Sequence, residues 1–550
     1  MDLARLHDLR ILLCTPTAAP PVWLLRRHPQ VWLIDQHGRP HPGGRHMICY
    51  NDPTARRLAE RIVVELVSRY KDDPALLGWQ IDNEPTVGES ASSSRFYDFH
   101  PETKKLFRAH LKDQYADLDR LNAAWVNSFW SSSYDCWESI EPPTAVGGNP
   151  GLWLAWTRFR DRNTADLIAW QRDIIRARDS VSPIGTNIPE TGPVRSAMFG
   201  QDYWAQAEGL DFVGLDIYCY QGDPERELRD IGYSCDVIRS AAESAGAEFW
   251  IAETQAGPHR RPWKMSFAGG VWGPDFLRRS TRSFAQRGAQ KILYFLWRPV
   301  LNGHEFGMNG MVHADGSPSP ISLAVADVLK ESRNEVVRIC ESDRPVFVHY
   351  SRDSLLMGRG FDSLDTAGSS LCGWHELLED LGFAVTFVSD TDLVTGRVPS
   401  EAPLILPYTL VLTEPLAGAL AARSKATASV AYGYATGFFD EVGSCCRVTP
   451  GYRLDQVCGI STEAFDHVEP SSKLVVQADP PFSVSDVMVA YVRELCGAEV
   501  VARDAGGRPA AARHGRSVTF LFDLGTAYRS ADAAERDALR RFYSEAMQLS

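Results

Sequence analysis

At 550 residues the chain is several times longer than a typical domain, so two or three domains are expected. The formal net charge of -13, with no long run of Lys or Arg, disfavours nucleic acid and anionic membranes as partners. No stretch reaches the roughly 18 apolar residues of a membrane span, and the apolar run 11–14 is too short for a signal peptide. We therefore expect a cytoplasmic protein, and its eleven cysteines, without a CxxC pair, to be reduced thiols.

Residues 1–335 alternate short apolar runs with longer helical segments such as 55–70 and 152–178, which indicates βα units around a parallel sheet. Six strands are predicted, at 10–15, 76–82, 183–188, 210–218, 248–254 and 291–298. Each ends in polar or aromatic residues, as in (β/α)8 barrels, whose chemistry lies at the carboxyl ends of the strands. A closed barrel needs eight strands. We therefore predict an α/β fold with a (β/α)8 TIM-type barrel over 1–335 that has strands 3 to 8 and lacks the first two βα units.

The remainder of the chain has a different pattern. Strands are predicted at 345–350, 383–389, 402–408 and 427–435, with a helix at 374–381, which favours a flavodoxin-like α/β domain over 343–470. No GxGxxG motif follows its first strand and no nucleophile elbow is present, so an interaction or scaffolding role is expected there. Residues 472–550 contain strand-like segments at 474–476 and 517–522 and a final helix at 531–547. They predict a small, mostly β C-terminal domain.

Two of the barrel strands deliver a glutamate. The segment 79–85, WQIDNEP, places Asn83 beside Glu84, and the segment 249–255, FWIAETQ, is apolar up to Glu253. Retaining glycoside hydrolysis requires two carboxyl groups about 5 to 5.5 Å apart, one acting as acid and then base and the other as nucleophile. We predict Glu84 as the general acid and Glu253 as the nucleophile, although a strand-end Glu is often merely solvated. A nucleophile that stays ionised needs donors or a cation nearby, and the candidates are Arg45, Tyr218 and Arg298.

Segments along the first 320 residues resemble the glycoside hydrolase family 42 β-galactosidases. They are 15–24 (TPTAAPPVWL), 45–49 (RHMIC), 78–84, 121–125 (LNAAW), 128–131 (SFWS), 251–255, 294–298 (YFLWR), 303–306 (GHEF) and 313–316 (HADG). The rest of the chain is more loosely similar to the trimerisation domain and the small C-terminal β domain of that family. The resemblance implies cleavage of terminal non-reducing β-D-galactose without a cofactor, with Glu84 as acid/base and Glu253 as nucleophile, in a homotrimer.

Carried over residue by residue, the resemblance implies a galactose subsite lined by Arg45, Asn83, Tyr218, Trp263 and Glu305. Met308 occupies a position where a histidine commonly follows the subsite glutamate by three residues, which bears on specificity. Some members of the family bind zinc through four cysteines. Cys49 matches the first of these, but 88–95 contains no cysteine, so no structural zinc or other metal is predicted.

Three functions remain open at this point. The leading hypothesis is an exo-β-galactosidase that acts through a covalent galactosyl-enzyme intermediate. An α-L-arabinopyranosidase is close to it, because that sugar lacks only the exocyclic carbon of galactose. The competing hypothesis is a catalytically impaired sugar-binding or assembly protein. A barrel that lacks its first two strands exposes an unpaired sheet edge and loses a substrate-facing arginine that the family carries there.

Overall fold

The computed structural model describes all residues except 42–43, 88–94, 190–191, 220–222, 258–272, 309, 332–343, 362–363, 426–428 and 550. Contacts within the chain group it into two compact units, Met1–His110 with Phe159–Glu341 and Leu111–Arg158 with Ser342–Ser550. This division into two units differs from the three predicted domains, 1–335, 343–470 and 472–550, because segment 111–158 groups with the second half of the chain. The three domain boundaries stay a prediction.

The first unit is built on a curled sheet of six parallel strands that follow one another in chain order. These strands are β1 (Ile11–Cys14), β2 (Leu76–Gln80), β3 (Ile184–Pro189), β4 (Phe212–Ile217), β5 (Glu248–Gln255) and β6 (Lys291–Phe295). All six strands predicted from apolar runs are confirmed. Within the described residues β1 pairs only with β2, and β6 pairs only with β5, so the sheet has two free edges.

Helices alternate with these strands along residues 1–331, and several begin at a capping side chain or a proline. They are α1 (Asp2–Leu6), α2 (Val22–Arg27), α3 (Pro53–Tyr70), α4 (Pro101–Tyr115), α5 (Leu118–Ala124), α6 (Pro150–Arg176), α7 (Pro193–Phe199), α8 (Tyr203–Ala207), α9 (Pro224–Ala245), α10 (Pro274–Gln286) and α11 (Pro320–Glu331). Of these, α5, the end of α4 and the start of α6 group with the second unit. Asp52 caps α3 by accepting the backbone N–H of Thr54 at 2.8 Å, and Pro53 occupies the first helical position. Val63 and Val67 of α3 pack with Trp79 and Ile184 of the sheet in a buried cluster.

The second unit contains a nine-stranded sheet and a separate two-stranded ribbon of β11 and β14. Its strands are β7 (Pro345–His349), β8 (Ala384–Val388), β9 (Leu404–Leu406), β10 (Val430–Tyr432), β11 (Ile460–Val468), β12 (Leu474–Gln477), β13 (Phe482–Val484), β14 (Val487–Leu495), β15 (Glu499–Asp504), β16 (Pro509–His514) and β17 (Ser517–Phe520). The helices are α12 (Arg352–Gly360), α13 (Leu364–Asp380), α14 (Asp390–Val394), α15 (Glu414–Arg423), α16 (Leu454–Cys458), α17 (Leu524–Ser530) and α18 (Ala533–Met547).

The parallel part of this sheet has the order β8-β7-β9-β10-β17, which is the flavodoxin-like order 2-1-3-4-5. The predicted flavodoxin-like core is therefore confirmed. Its fifth strand, β17, comes from the segment predicted as a C-terminal domain. All four residues of β17 are buried, which fits an interior strand covered on both faces. Antiparallel strands β16, β15, β12 and β13 extend the same sheet on that side. Among the described residues, no helix combines the length and apolar character that crossing a membrane requires.

Candidate active site

Three carboxyl groups meet at the carboxyl ends of the strands of the first unit. Glu84 follows β2, Asp216 lies near the end of β4 and Glu253 near the end of β5. One carboxylate oxygen of each residue lies within 4.8 Å of one from each of the others. In a flat sheet, β2 and β5 would be about 14 Å apart, three strand spacings. The curl of the sheet, together with the length of the Glu side chains, brings the two predicted glutamates together.

Polar contacts hold the turn after β2 in an uncommon backbone conformation. Asp82 and Glu84 have φ values of 56° and 51°, in the left-handed region that non-glycine residues seldom adopt. The backbone N–H of Asp82 donates to Oγ1 of Thr15 at 2.7 Å, and that of Glu84 donates to Oδ1 of Asn187 at 2.9 Å. Such strain of about 1 to 3 kcal/mol per residue persists only where surrounding contacts enforce it. The turn therefore presents the Glu84 carboxyl group to the site.

Arg45, one of the three candidates predicted to stabilise an ionised Glu253, pairs directly with Glu84. Nη2 of Arg45 lies 2.8 Å from Oε2 of Glu84, and half of the Arg45 side chain is exposed. The charge of Arg45 still acts on Glu253, where it lowers the pKa. Beside it, His46 contacts the carbonyl oxygen of Asn83 at 2.9 Å. Burial opposes the charged form of His46, but the bond to Asp82 and its charge outweigh burial and raise the His46 pKa.

Glu253 lies in an environment that favours its protonated form. Burial and the charge of Glu84 raise the pKa of Glu253 to about 7, while the hydrogen bond from Tyr218 and the charge of Arg45 oppose the increase. The Tyr218 hydroxyl donates to Oε2 of Glu253 at 2.7 Å. Burial and the nearby Glu253 also raise the pKa of Tyr218 far above its ordinary value, so the phenol keeps its proton and acts as a donor.

Asn187 and Asp216 belong to the site, and sequence reasoning missed both as functional residues. The Asn187 side chain is fully buried on β3, and its Nδ2 lies 2.6 Å from Oδ2 of Asp216. Asp216 is only 2% exposed, and burial followed by the charges of Glu253 and Glu84 raises its pKa well above the ordinary value. Each is a polar residue inside an apolar strand, and that pattern was the available signal.

Asn83 also lies in this cluster, because Asn187 Nδ2 lies 3.1 Å from Asn83 Oδ1. Glu305 lies on an exposed turn after β6, and its negative charge raises the pKa of both Arg45 and Glu253. Arg298 is exposed and, within the described part of the chain, makes no hydrogen bond or ion pair with Glu253. Met308 is half-buried after the Glu305 turn.

Two predictions fall outside the described residues. Trp263, predicted to stack against the sugar, belongs to 258–272. The prediction of no zinc rests on the cysteine-free segment 88–95, of which 88–94 lies outside the described residues. Cys49, which matches the first zinc cysteine, is buried with its Sγ 3.3 Å from Oγ1 of Thr103.

Paired carboxyl groups at the carboxyl ends of a curled parallel sheet define the class of barrel-type glycoside hydrolases. Comparison with known proteins identifies the family within this class. The profile of glycoside hydrolase family 42, described as beta-galactosidase, matches residues 1–334. The match covers more than half of the chain, and the protein belongs to this family.

Similar proteins agree with the family membership. Beta-galactosidase Bga of Halorubrum lacusprofundi is 32% identical over 370 residues, which are 64% of this chain and 49% of that protein. Beta-galactosidase BgaH of Haloferax lucentense is 32% identical over 338 residues, 58% of this chain and 48% of that protein. The chain thus spans about half the length of the curated relatives it matches.

Solved structures confirm the TIM-barrel fold class. The polyextremophilic beta-galactosidase from the Antarctic haloarchaeon Halorubrum lacusprofundi matches with a TM-score of 0.85 and 25% identity, over 100% of this chain and 81% of that chain. The beta-galactosidase of the psychrophilic Marinomonas ef1 matches with a TM-score of 0.82 and 22% identity, over 100% of this chain and 83% of that chain. At 22% identity the second likeness concerns the fold alone.

Proposed function

We propose that the protein is a retaining exo-β-galactosidase that hydrolyses terminal non-reducing β-D-galactose. The proposal rests on the approach of Glu84 and Glu253, whose carboxylate oxygens lie within 4.8 Å of each other. Retaining glycosidases hold their two carboxyl groups about 5 to 5.5 Å apart, whereas inverting enzymes separate them by about 6.5 to 9.5 Å to admit a water molecule. The separation in this site therefore favours direct attack by one carboxylate on the sugar.

In the first chemical step, Glu253 attacks the anomeric carbon and forms a carbon–oxygen bond to it. The bond between that carbon and the glycosidic oxygen breaks, and Glu84 gives its proton to the leaving oxygen. In the second step, Glu84 removes a proton from water, the water oxygen attacks the anomeric carbon, and Glu253 leaves as a carboxylate. Two inversions of the anomeric carbon restore its original configuration.

Arg45 lies between Glu84 and solvent. Its Nη2 is 2.8 Å from Oε2 of Glu84, and half of the Arg45 side chain is exposed. A hydroxyl group of the bound sugar can therefore reach the same guanidinium group that pairs with Glu84. Arg45 would then position the sugar beside the proposed acid/base residue.

Asn83, Tyr218, Trp263 and Glu305 complete the proposed galactose subsite on the strength of the family resemblance. Asn83 offers an amide for the 2-hydroxyl group, and Glu305 offers an exposed carboxylate for other hydroxyl groups. A homotrimer and a cytoplasmic location stay predictions. Light scattering of the purified protein tests the oligomeric state.

A protein that only binds sugars or assembles with others is the alternative. Binding alone does not require three carboxyl groups within 4.8 Å of one another. Their closeness raises the pKa of Glu253 and Asp216, which lowers the stability of the folded protein when these groups ionise. Perturbed carboxyl groups of this kind are typical of catalytic sites. The arrangement favours an enzyme. Comparison of nitrophenyl β-D-galactopyranoside with nitrophenyl α-L-arabinopyranoside decides between the two hydrolase activities.

The deciding experiment replaces each glutamate and adds azide. We expect Glu253→Gly to lose activity on nitrophenyl β-galactoside by more than about 10³-fold, and azide to restore turnover with α-galactosyl azide as product. Glu84→Ala with azide should yield β-galactosyl azide from a dinitrophenyl substrate. Glu248→Gln is the matched control, because Glu248 begins the same strand, β5, and its carboxylate pairs with Lys291 at 3.0 Å. Undiminished turnover by Glu253→Gly, or α-galactose as the first product of the unaltered protein, would refute the proposal.

A further inference from the structure

Asn187 is a buried residue that contacts both proposed catalytic residues, Glu84 and Glu253. Its Oδ1 accepts the backbone N–H of Glu84 at 2.9 Å, and its Nδ2 lies 3.4 Å from Oε1 of Glu253. The same Nδ2 lies 3.1 Å from Oδ1 of Asn83. The amide is fully buried on β3, so its position is set by the sheet and not by solvent. A single side chain thus connects the turn after β2 to the end of β5.

The orientation of this amide follows from its partners. A backbone N–H can only donate, so the Asn187 oxygen must face Glu84 and the nitrogen must face the carboxyl groups. The nitrogen has two hydrogens for three acceptors, and its shortest contact is the 2.6 Å bond to Oδ2 of Asp216. Asp216 is therefore the residue that determines the direction of the Asn187 donors.

Asp216 fits this task best as a neutral acid. Its Oδ1 is buried and, among the described residues, has no hydrogen-bond partner, while Oδ2 accepts from Asn187. An ionised Asp216 would add a third negative charge within 4.8 Å of Glu84 and Glu253, where the guanidinium group of Arg45 pairs with Glu84 and not with Asp216. Burial and those two charges raise the Asp216 pKa well above its ordinary value, which agrees with a proton on this carboxyl group.

We propose that Asn187, oriented by a protonated Asp216, is the positioning residue that sets the separation between Glu84 and Glu253. The catalytic part of this inference rests on the proposed hydrolase function. Asn187 itself transfers no proton and forms no bond to the sugar. It holds the Glu84 turn through the backbone and limits the position of the Glu253 carboxylate through Nδ2.

The first test is structural and needs no activity. A crystal structure of Asn187→Ala should show the turn 82–84 displaced and the carboxyl groups of Glu84 and Glu253 farther apart than in the unaltered protein. Thr186→Val is the matched control, because the neighbouring side chain on β3 is equally buried and donates a 2.8 Å hydrogen bond to the carbonyl oxygen of Ile81 instead. An unchanged carboxyl separation in Asn187→Ala would overturn the proposal.

The second test measures leaving-group dependence, which loss of folded protein does not alter. Poor leaving groups need a well-placed acid, so Asn187→Ala should lose about 10²-fold in kcat on phenyl β-galactoside and much less on the dinitrophenyl compound. Titration of active sites with a 2-deoxy-2-fluoro galactoside corrects for inactive protein. Thr186→Val should show the ratio of the unaltered enzyme. Equal losses on both substrates, or no loss, would contradict the proposal.

Variants of Asp216 test the same network without a change at Asn187. Asp216→Asn keeps a neutral acceptor of the same shape, so the ratio of kcat on the dinitrophenyl and phenyl compounds should stay within about threefold of that of the unaltered enzyme. Asp216→Ala removes the acceptor and should reproduce the leaving-group dependence of Asn187→Ala. Equal damage from both variants would mean that the Asp216 charge is needed and would overturn its role as a neutral acid. If the unaltered protein hydrolyses neither galactoside, the proposed function fails, and the crystallographic comparison still decides the positioning role.

Discussion

The hydroxyl of Tyr218 donates a 2.7 Å hydrogen bond to Oε2 of Glu253, on a carboxyl group whose pKa is raised to about 7. The bond favours the ionised form of Glu253, while burial and the charge of Glu84 favour the protonated form. The balance of these effects determines the pH at which Glu253 becomes ionised, which is the form that the proposed mechanism requires.

The pH profile of the unaltered protein should show an acidic limb near pH 7. In the proposed mechanism Glu253 reacts as an anion, so kcat/KM should fall as the pH drops below the raised Glu253 pKa of about 7, well above the ordinary value of 4.5. The profile of kcat/KM reports groups of the free enzyme, so nitrophenyl β-galactoside assayed from pH 4 to 9 measures it directly. A limb centred near pH 4.5 would contradict the environment described for Glu253.

Tyr218→Phe should move that limb to higher pH. The substitution removes the hydrogen bond that lowers the Glu253 pKa, and burial and Glu84 then act with less opposition. Tyr294→Phe is the control, because the Tyr294 hydroxyl bonds to Thr281 Oγ1 at 2.7 Å in the same unit. Its profile should match that of the unaltered protein. A shift to lower pH in Tyr218→Phe would show that the phenol does not stabilise the carboxylate.

Glu84→Gln should move the acidic limb in the opposite direction. The negative charge of Glu84 raises the Glu253 pKa, and a neutral amide of similar shape removes that charge. A dinitrophenyl β-galactoside is the appropriate substrate, since its leaving group departs without acid catalysis. The measurement is again kcat/KM against pH. An unchanged limb would mean that the two carboxyl groups do not interact in solution.

Glu253→Gln should stabilise the folded protein above neutral pH. Folding raises the Glu253 pKa from 4.5 to about 7. The contribution of Glu253 to the free energy of unfolding is therefore fully present below pH 4.5 and is lost as the pH rises through 7. A pKa raised to about 7 corresponds to about 3 kcal/mol of unfolding free energy. Thermal unfolding should therefore show a higher Tm for Glu253→Gln at pH 8 and little change at pH 4. An equal change at both values would exclude this linkage.

Gly373→Ala should destabilise the second unit. An added Cβ on this α13 residue would lie 1.8 Å from the carbonyl oxygen of Gly525 on α17, so the two helices would have to separate. Overpacking of this kind costs about 1 to 3 kcal/mol. Gly418→Ala on α15 is the control, because nothing lies within 4 Å of its added Cβ and Ala favours the helix by about 1 kcal/mol. Calorimetry should show a lower Tm for the first variant only.

The sequence did not predict the strand with which β17 pairs. Its apolar run was recognised at 517–522, but a strand in the C-terminal segment gives no sign of which sheet it joins. β17 pairs in parallel with β10, 87 residues earlier (Val430 opposite Ser517), and completes the flavodoxin-like order. Such pairing depends on the packing of helices and of neighbouring strands, which local periodicity does not contain.

The sequence by itself determined the six strands of the first unit and the two glutamates at their ends, because apolar periodicity and strand-end polar residues are local properties. Only the tertiary structure decided which groups surround those glutamates. In the folded chain Arg45 pairs with the Glu84 carboxylate. The amide oxygen of Asn187, 103 residues away from Glu84 in the chain, accepts the backbone N–H of Glu84. The curl of the sheet creates these contacts, since side chains from distant strands converge only when the strands bend around a common axis.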